Sequence, residues 1–267
     1  MKIVVAGGSG LVGSRLVTRL REQGHDVVSA SRRTGVNTVT GEGLDAALSG
    51  AEIVVDVTNA PSFDEPDVTD FFRASTRRLL EAGERAGIAH HIALSVVGTA
   101  RLQSSGYFRA KQVQEDLVRA ARVPHTLVEA TQFFEFMASI IPPGGGHDAV
   151  TLPSGLVQPV AADDVAAQLA RIAAEPPSAA TIEIAGPDTW PLHELVQWVM
   201  YSHQDARPFI ADANALYYGG RLDDRTLVPD AQARIAPTHF RDWLADLLAS
   251  KVEMPHVHHP DPIAHPR

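Results

Sequence analysis

The amino-acid sequence predicts an α/β fold: a doubly wound parallel sheet with a small α+β lobe toward its C-terminal end. Three observations predict it. The apolar run Lys2-Ile3-Val4-Val5-Ala6 reads as a buried strand and passes straight into the turn Gly7-Gly8-Ser9-Gly10-Leu11-Val12-Gly13. That turn opens a helix-like run from Leu11 to Glu22. Beyond it, strand-like and helix-like stretches alternate, which is the pattern of a parallel sheet with helices on both faces.

The turn carries its own chemistry. Gly7 can take backbone angles that a side chain forbids, so the chain can reverse tightly after the strand. Gly10 lets a pyrophosphate come close to the backbone, and Gly13 lets the helix pack near the strand. The N–H groups at the helix start, at the positive end of its dipole, face an anion. Ser9, Leu11 and Val12 complete the segment that would face the phosphates.

The glycine spacing is Gly-x-x-Gly-x-x-Gly. It resembles the short-chain dehydrogenase/reductase superfamily in its extended and atypical branches, and most of all the NmrA-like NAD(P)H-binding proteins. The resemblance covers residues 1–190 and weakens after them. It implies a Rossmann-type nucleotide-binding domain over 1–135 with late returns at 158–190, a substrate lobe over 136–250 and a flexible tail over 251–267.

Composition sets bounds on function. A chain of 267 residues fits one nucleotide-binding domain with a smaller lobe, and 45% hydrophobic residues supply an ordinary core. The net charge of −9 argues against a general nucleic-acid surface. There is no cysteine, so disulfide and thiolate chemistry are absent. No apolar run reaches the length of a membrane span, and the N-terminus enters a strand at once. The expectation is a cytoplasmic protein with neither a membrane nor a nucleic-acid partner.

The elements follow in order. Helix one is expected over Gly10–Gln23 and strand two over Asp26–Ser31. The adenosine ribose sits at the end of this strand in such folds, where an acid selects NAD. Here the residues are Ser31, Arg32, Arg33 and Thr34. Two arginines stand where a 2′-phosphate would lie, and a guanidinium fork matches a phosphate. NADP(H) is therefore expected over NAD(H), with Arg32 as first contact and Arg33 beside it. Asn37–Thr40 is read as a short strand, Leu44–Leu48 as a short helix, and Ala51–Thr58 as a buried strand. Thr58 and Asn59 then read either as neighbours of the cofactor or as ordinary turn formers. A long helix over Val68–Ala86, a strand over His90–Val97, a helix over Arg109–Arg122 and a strand over Thr126–Ala130 complete this half.

The candidate catalytic group lies between the last two strands. Ser95 ends one strand, and Tyr107-Phe108-Arg109-Ala110-Lys111 is a Tyr-x-x-x-Lys pattern that places both side chains on one helix face. The resemblance implies that Tyr107 is a general acid, that Lys111 holds the nicotinamide ribose and lowers the tyrosine pKa, and that Ser95 steadies the substrate oxygen. Thr131, Gln132 and Phe133 follow the next strand and would line the nicotinamide pocket, while Phe134 and Phe136 read as core. The resemblance often has arginine where this chain has Glu129, so no role is carried over to that position.

The crossing Pro142-Pro143-Gly144-Gly145-Gly146 reads as a lid or hinge. Asp163 or Asp164 is expected to cap a helix that runs to Ala174. A strand at Thr181–Ala185 and a helix from Pro191 to Tyr201 follow, and Ala211–Val228 is expected to be irregular. Phe240–Leu248 is amphipathic and would pack on the lobe or on a second copy of the chain as a homo-oligomer. His256, His258, His259 and His265 lie among prolines without a carboxylate or cysteine frame, so no metal site is expected.

Together these readings imply an oxidoreductase that moves hydride from NADPH to a small-molecule carbonyl or quinone. Two other readings stay open: a non-catalytic NADP(H)-binding redox sensor of the NmrA type, and an epimerase or isomerase that uses bound cofactor transiently.

Overall fold

The computed structural model describes residues 1–141 and 148–250. The crossing at 142–146 and the histidine tail at 251–267 lie outside the described residues. The first half contains β1 (Lys2–Ala6), α1 (Leu11–Glu22), β2 (Asp26–Ala30), α2 (Leu44–Leu48), β3 (Ile53–Asp56), α3 (Asp67–Ala86), β4 (His90–Val96), α4 (Gly106–Arg119) and β5 (His125–Ala130). The second half adds β6 (Val150–Pro153), β7 (Leu156–Val157), α5 (Ala162–Ala173), β8 (Thr181–Ala185), β9 (Trp190–Pro191) and α6 (Leu192–Ser202). It ends with β10 (Phe209–Asp212), β11 (Leu216–Tyr217), β12 (Gly220–Arg221), β13 (Arg234–Ile235) and α7 (Phe240–Ser250).

Seven strands form one parallel sheet in the order β13-β8-β5-β4-β3-β1-β2. The chain steps outward from β1 to β2, then returns to the other side of β1 to lay down β3. The crevice beyond the strand ends at this reversal is where open α/β sheets bind ligands. The doubly wound parallel sheet is as the sequence predicts.

Alternation along β1 builds both layers. Ile3 and Val5 pack with Leu16 and Leu20 of α1 and Leu169 of α5. Val4 and Ala6 face the other way, against Leu48 of α2 and Leu79 of α3. Burial on both faces is why the strand is a continuous apolar run rather than an alternating one. A separate core holds the later residues together: Phe134, Met137, Leu195 and Phe240 are among its buried members. Phe134 lies 5.2 Å from Phe240 and 5.4 Å from Trp243, ring centre to ring centre, so α7 packs on this core.

Four elements differ from expectation. Asn37–Thr40 is a turn, because Asn37 Oδ1 accepts the Val39 and Thr40 N–H groups at 3.0 and 3.3 Å. The fourth helix starts at Gly106, not Arg109, which places Tyr107 in its first turn. Neither Asp163 nor Asp164 caps α5. Asp163 pairs with Arg19 of α1, and Asp164 accepts the Thr238 N–H. The buried Glu135 carboxylate takes the Ala162 N–H instead, at 3.2 Å to each oxygen. The segment 211–228 holds the strands β11 and β12 and the end of β10, rather than irregular chain alone.

His91 of β4 is a buried polar residue whose Nε2 has no hydrogen-bond partner among the described residues. Burial holds its pKa down to about 4, with Asp56 acting against that shift and His125 and His90 acting with it. In the unfolded chain the same ring titrates at 6.5. Between these values the unfolded state binds the extra proton, so this group's contribution to stability is lost as pH falls from 6.5 toward 4. Denaturant unfolding of wild type and His91→Leu across this range should show the loss only in wild type, with a difference of about 3 kcal/mol at the acid end. Parallel curves for the two proteins would show that His91 carries none of the acid sensitivity.

Candidate cofactor and active site

The glycine turn sits at the topological reversal. Gly7 has φ +82°, and a Cβ there would meet the Val57 carbonyl at 2.8 Å. Its N–H donates to Ala30 C=O at 2.9 Å, which ties the turn to the end of β2. The Gly10 N–H donates to Gly7 C=O at 2.9 Å, and a Cβ on Gly13 would run into that same carbonyl. The helix can approach the turn this closely only because position 13 has no side chain. Gly10 precedes α1 in an extended conformation, with no side-chain cap and no acid in the first turn. The leading N–H groups of α1 are therefore left for an anion. Ser9 and Gly10 are exposed and Leu11 is half-buried, while the Val12 side chain belongs to the core.

Arg32 and Arg33 lie at the end of β2 in a single helical turn over Arg32–Thr34. Ser31 and Thr34 fix that turn: the Ser31 N–H donates to Thr34 Oγ1 at 2.9 Å, and Thr34 Oγ1 donates to Ser29 C=O at 2.7 Å. Both arginines are exposed, and neither guanidinium has an ion pair or hydrogen bond with the described residues.

A polar seam runs under α4. Asp56 at the end of β3 is fully buried and accepts the Thr58 N–H at 2.9 Å, Thr58 Oγ1 at 2.7 Å and Gln114 Nε2 at 3.2 Å. The Gln114 carbonyl accepts Lys111 Nζ, which also donates to Leu94 C=O at 2.8 Å. Lys111 is 3% exposed, and its ammonium lies 4.5 Å from the Phe72 ring centre. Burial brings its pKa down to about 8, opposed by Asp56, Glu115 and Glu129. Ser95 is buried and donates to the Glu115 carboxylate.

Tyr107 stands apart from this seam. Its hydroxyl donates to Asn59 Oδ1 at 3.4 Å. Its ring lies 4.7 Å from Phe63 and 6.2 Å from Phe72, and Phe63 lies 6.0 Å from Tyr218. Burial and the neighbouring Tyr218 push the phenol well above its usual pKa. Lys111 makes its hydrogen bonds to Leu94 and Gln114, and Ser95 to Glu115, rather than to the Tyr107 hydroxyl. The activation implied by the Tyr-x-x-x-Lys pattern is thus not the arrangement found: the phenol is raised, not lowered.

Thr131 and Gln132 follow β5 into the same crevice. Thr131 Oγ1 and both amide atoms of Gln132 are buried and have no hydrogen-bond partner among the described residues. Phe133 is half-buried and lies 5.5 Å from Phe136. Across the sheet, Ser95, Glu129 and Glu183 are register partners on β4, β5 and β8. Burial raises the Glu129 pKa to about 8, helped by Glu115 and Glu183 and opposed by Arg119 and Arg101. Among the described residues no group of His, Cys, Asp or Glu is placed to hold a metal ion.

The residues present fit a nicotinamide dinucleotide. The cradle at Gly7–Gly13 leaves room and open N–H groups for its phosphates, and the orphaned Gln132 amide can pair with another amide. Sequence reasoning missed Asp56, Gln114 and Glu115. The one signal was Asp56, a lone charge inside the apolar run Ile53–Val57.

Comparison with known proteins agrees with the fold. Residues 3–128 match the model of the NAD dependent epimerase/dehydratase family. The Photosystem II assembly factor Ycf39 of Synechocystis sp. is 23% identical over 149 residues. That match spans 51% of this chain and 46% of the relative, so the chain covers less than half of that protein's length. Among solved structures, MoeE5 in complex with UDP-glucose and NAD superposes with TM-score 0.74 at 18% identity, over 94% of this chain and 98% of that one. The dTDP-4-dehydrorhamnose reductase of Bacillus anthracis, in complex with NADP, superposes with TM-score 0.70 at 9% identity, over 94% and 99% of the chains. The family match over residues 3–128 agrees with the resemblance to the extended short-chain dehydrogenase/reductase superfamily. No helix among the described residues is long and apolar enough to cross a membrane.

Glu129 offers a test of the acidic row. Its folded pKa stands near 8 against 4.5 in the unfolded chain, so folding favours the protonated acid. Its contribution is whole below 4.5 and is lost as pH rises through 8. Glu129→Gln keeps the neutral form at every pH. It should gain stability relative to wild type as pH rises, reaching about 2 kcal/mol above pH 8 after allowance for its partial exposure. A difference that does not change with pH would place the Glu129 carboxylate in ordinary solvent.

Proposed function

We propose that this chain is an NADP(H)-dependent oxidoreductase that transfers hydride to a small carbonyl or quinone. The observation that carries the proposal is the uncapped N-terminus of α1 behind Gly7–Gly13, tied to the end of β2 where Arg32 and Arg33 stand unpaired. In this reading the α1 N–H groups bind the pyrophosphate and the two guanidinium groups bind a 2′-phosphate. Thr58 and Asn59 lie along the adenosine side, and Gln132 pairs with the nicotinamide carboxamide through its orphaned amide. A bound reduced nicotinamide supplies the hydride. Tyr107 gives its proton to the substrate oxygen, and its raised pKa keeps that proton in place at neutral pH. Phe63 against the Tyr107 ring, with Tyr218 against Phe63, suits a flat, apolar substrate and limits water there. A cytoplasmic location, a possible second copy of the chain as partner, and no membrane or nucleic-acid partner belong to the same proposal.

A second reading has its own support. Tyr107, Lys111 and Ser95 are each engaged with separate protein groups, and one relative is described as an assembly factor. A redox sensor would use the same NADP(H) site and a protein partner, without turnover. An epimerase, as the matched family's description suggests, would bind the cofactor and show no net consumption of it.

Binding titrations with NADPH and NADH decide the cofactor. Arg32→Ala should weaken NADPH about ten-fold and leave NADH unchanged, as expected for one charge-assisted hydrogen bond. An unchanged NADPH/NADH ratio would remove Arg32 from the site. In a carbonyl and quinone screen, Tyr107→Phe should lower turnover about 100-fold or more with NADPH affinity intact. Full turnover by this variant would end the proton-donor role, and NADPH binding without turnover in wild type would leave the sensor.

A further inference from the structure

We propose that Asp56 and Gln114 are positioning residues: a buried carboxylate–amide relay that seats the ammonium of Lys111 and, through the Thr58–Asn59 turn, the hydroxyl of Tyr107. The proposal rests on the reading above, in which Tyr107 and Lys111 serve the reacting end of the cofactor.

The hydrogen bonds form one connected path. Asp56 holds the Thr58 N–H and hydroxyl with one carboxylate oxygen and Gln114 Nε2 with the other. Gln114 turns its carbonyl to Lys111. One residue past Thr58, Asn59 Oδ1 takes the Tyr107 hydroxyl. Tyr107 and Lys111 are one turn apart on α4, so the path returns to the helix on which it began. A single buried carboxylate therefore fixes both ends of the Tyr-x-x-x-Lys pair from the opposite element.

Three features favour a positioning role over simple packing. Asp56 and Gln114 are both 0% exposed, so each polar atom had to be matched at a cost in desolvation. The relay reaches across 58 positions of chain, between β3 and α4, and is not a local turn bond. The third feature is residue choice. Of 23 Lys and Arg residues only Lys2, Lys111 and Lys251 are lysines, so this chain uses arginine almost everywhere it wants a cation. Among the described residues its one buried ammonium is in the seam. A lysine can change its protonation state when buried, and an arginine cannot.

The groups facing Lys111 set the sign of the test. Asp56 from β3, Glu115 from α4 and Glu129 from β5 favour the ammonium, while burial against Phe72 of α3 disfavours it. Removing the Asp56 charge, or the Gln114 acceptor, therefore lowers the Lys111 pKa.

The experiment uses the full chain with ¹³C-labelled lysine. Three lysines give three Cε signals, assigned by Lys→Arg substitution, and each is followed through a pH titration in wild type, Asp56→Asn and Gln114→Leu. In wild type the Lys111 signal should titrate near 8. Both substitutions should lower that midpoint by about one unit or more and weaken NADPH binding about five-fold at pH 7.5. Gln114→Leu keeps the charge balance, so it still reads the relay if Asp56→Asn does not fold. A Lys111 midpoint that stays at the wild-type value in a folded variant overturns the proposal, as does a wild-type Lys111 that titrates at the ordinary lysine value of 10.5. Failure of wild type to bind NADPH is a different result. It would remove the functional reading, and the lysine titration would still decide the relay.

Discussion

Everything in the nucleotide-binding half depends on how closely α1 can approach the end of β1. The carbonyl of Gly7 occupies the place where a Cβ on residue 13 would sit. A side chain there would lift the helix off the turn, break the layer that Leu16 and Leu20 form with Ile3 and Val5, and tilt the leading N–H groups away from the crevice. The same constraint explains why α1 has no cap. Gly10 offers no side chain to its first turn. With glycine at that position the omission costs only about a few tenths of a kcal/mol. Here the uncapped N–H groups are the feature that an anion can use, and local stability is given up where a ligand can restore it.

The two faces of the sheet are built differently, and the difference points to the chemistry. Under α1 and α5 the strands present mainly Ile, Val and Ala, with the buried His90–Thr126 hydrogen bond as a polar exception. Under α4 they present Asp56, Ser95 and Glu129, matched by Gln114, Glu115 and Lys111. The apolar face orders the sheet by area, without direction. The polar face orders α4 by geometry, because hydrogen bonds hold only over a narrow range of distance and angle. A helix that must hold a hydroxyl and an ammonium at set heights gains from the second kind of contact more than from the first.

How much of this was legible follows from how local each cause is. The strand, glycine turn and helix at the N-terminus were readable because their determinants sit within a dozen residues. The alternation of the later elements was readable for the same reason. The cap of α5 was not: Asp163 and Asp164 have the right chemistry in the right place, yet α1 and residue 238 claim them, and Glu135 arrives from another segment. Asn37–Thr40 has the composition of a strand, but one amide side chain bonds its own backbone and turns the chain. Tyr107 and Lys111 could be placed on one helix face by spacing alone. That Lys111 would turn toward Gln114 and Leu94 depended on a carboxylate 55 residues earlier, which no spacing rule reports.

The seam also bears on why such residues persist. Replacing a buried network of charges and amides with well-packed apolar side chains is often neutral or stabilising, by about 1–4 kcal/mol in measured cases. Leu, Ile and Val already fill the equivalent positions on the other face, so an apolar solution to the packing under α4 was within reach of this fold. Lys111 makes the point most sharply. Burial works against its charge, and the three carboxylates around it work to keep that charge. Stability alone would favour replacing the lysine and its carboxylate neighbours together with apolar side chains. An ammonium held between them near 8 sits one helical turn from Tyr107, and it is this closeness that the proposed role of the seam rests on.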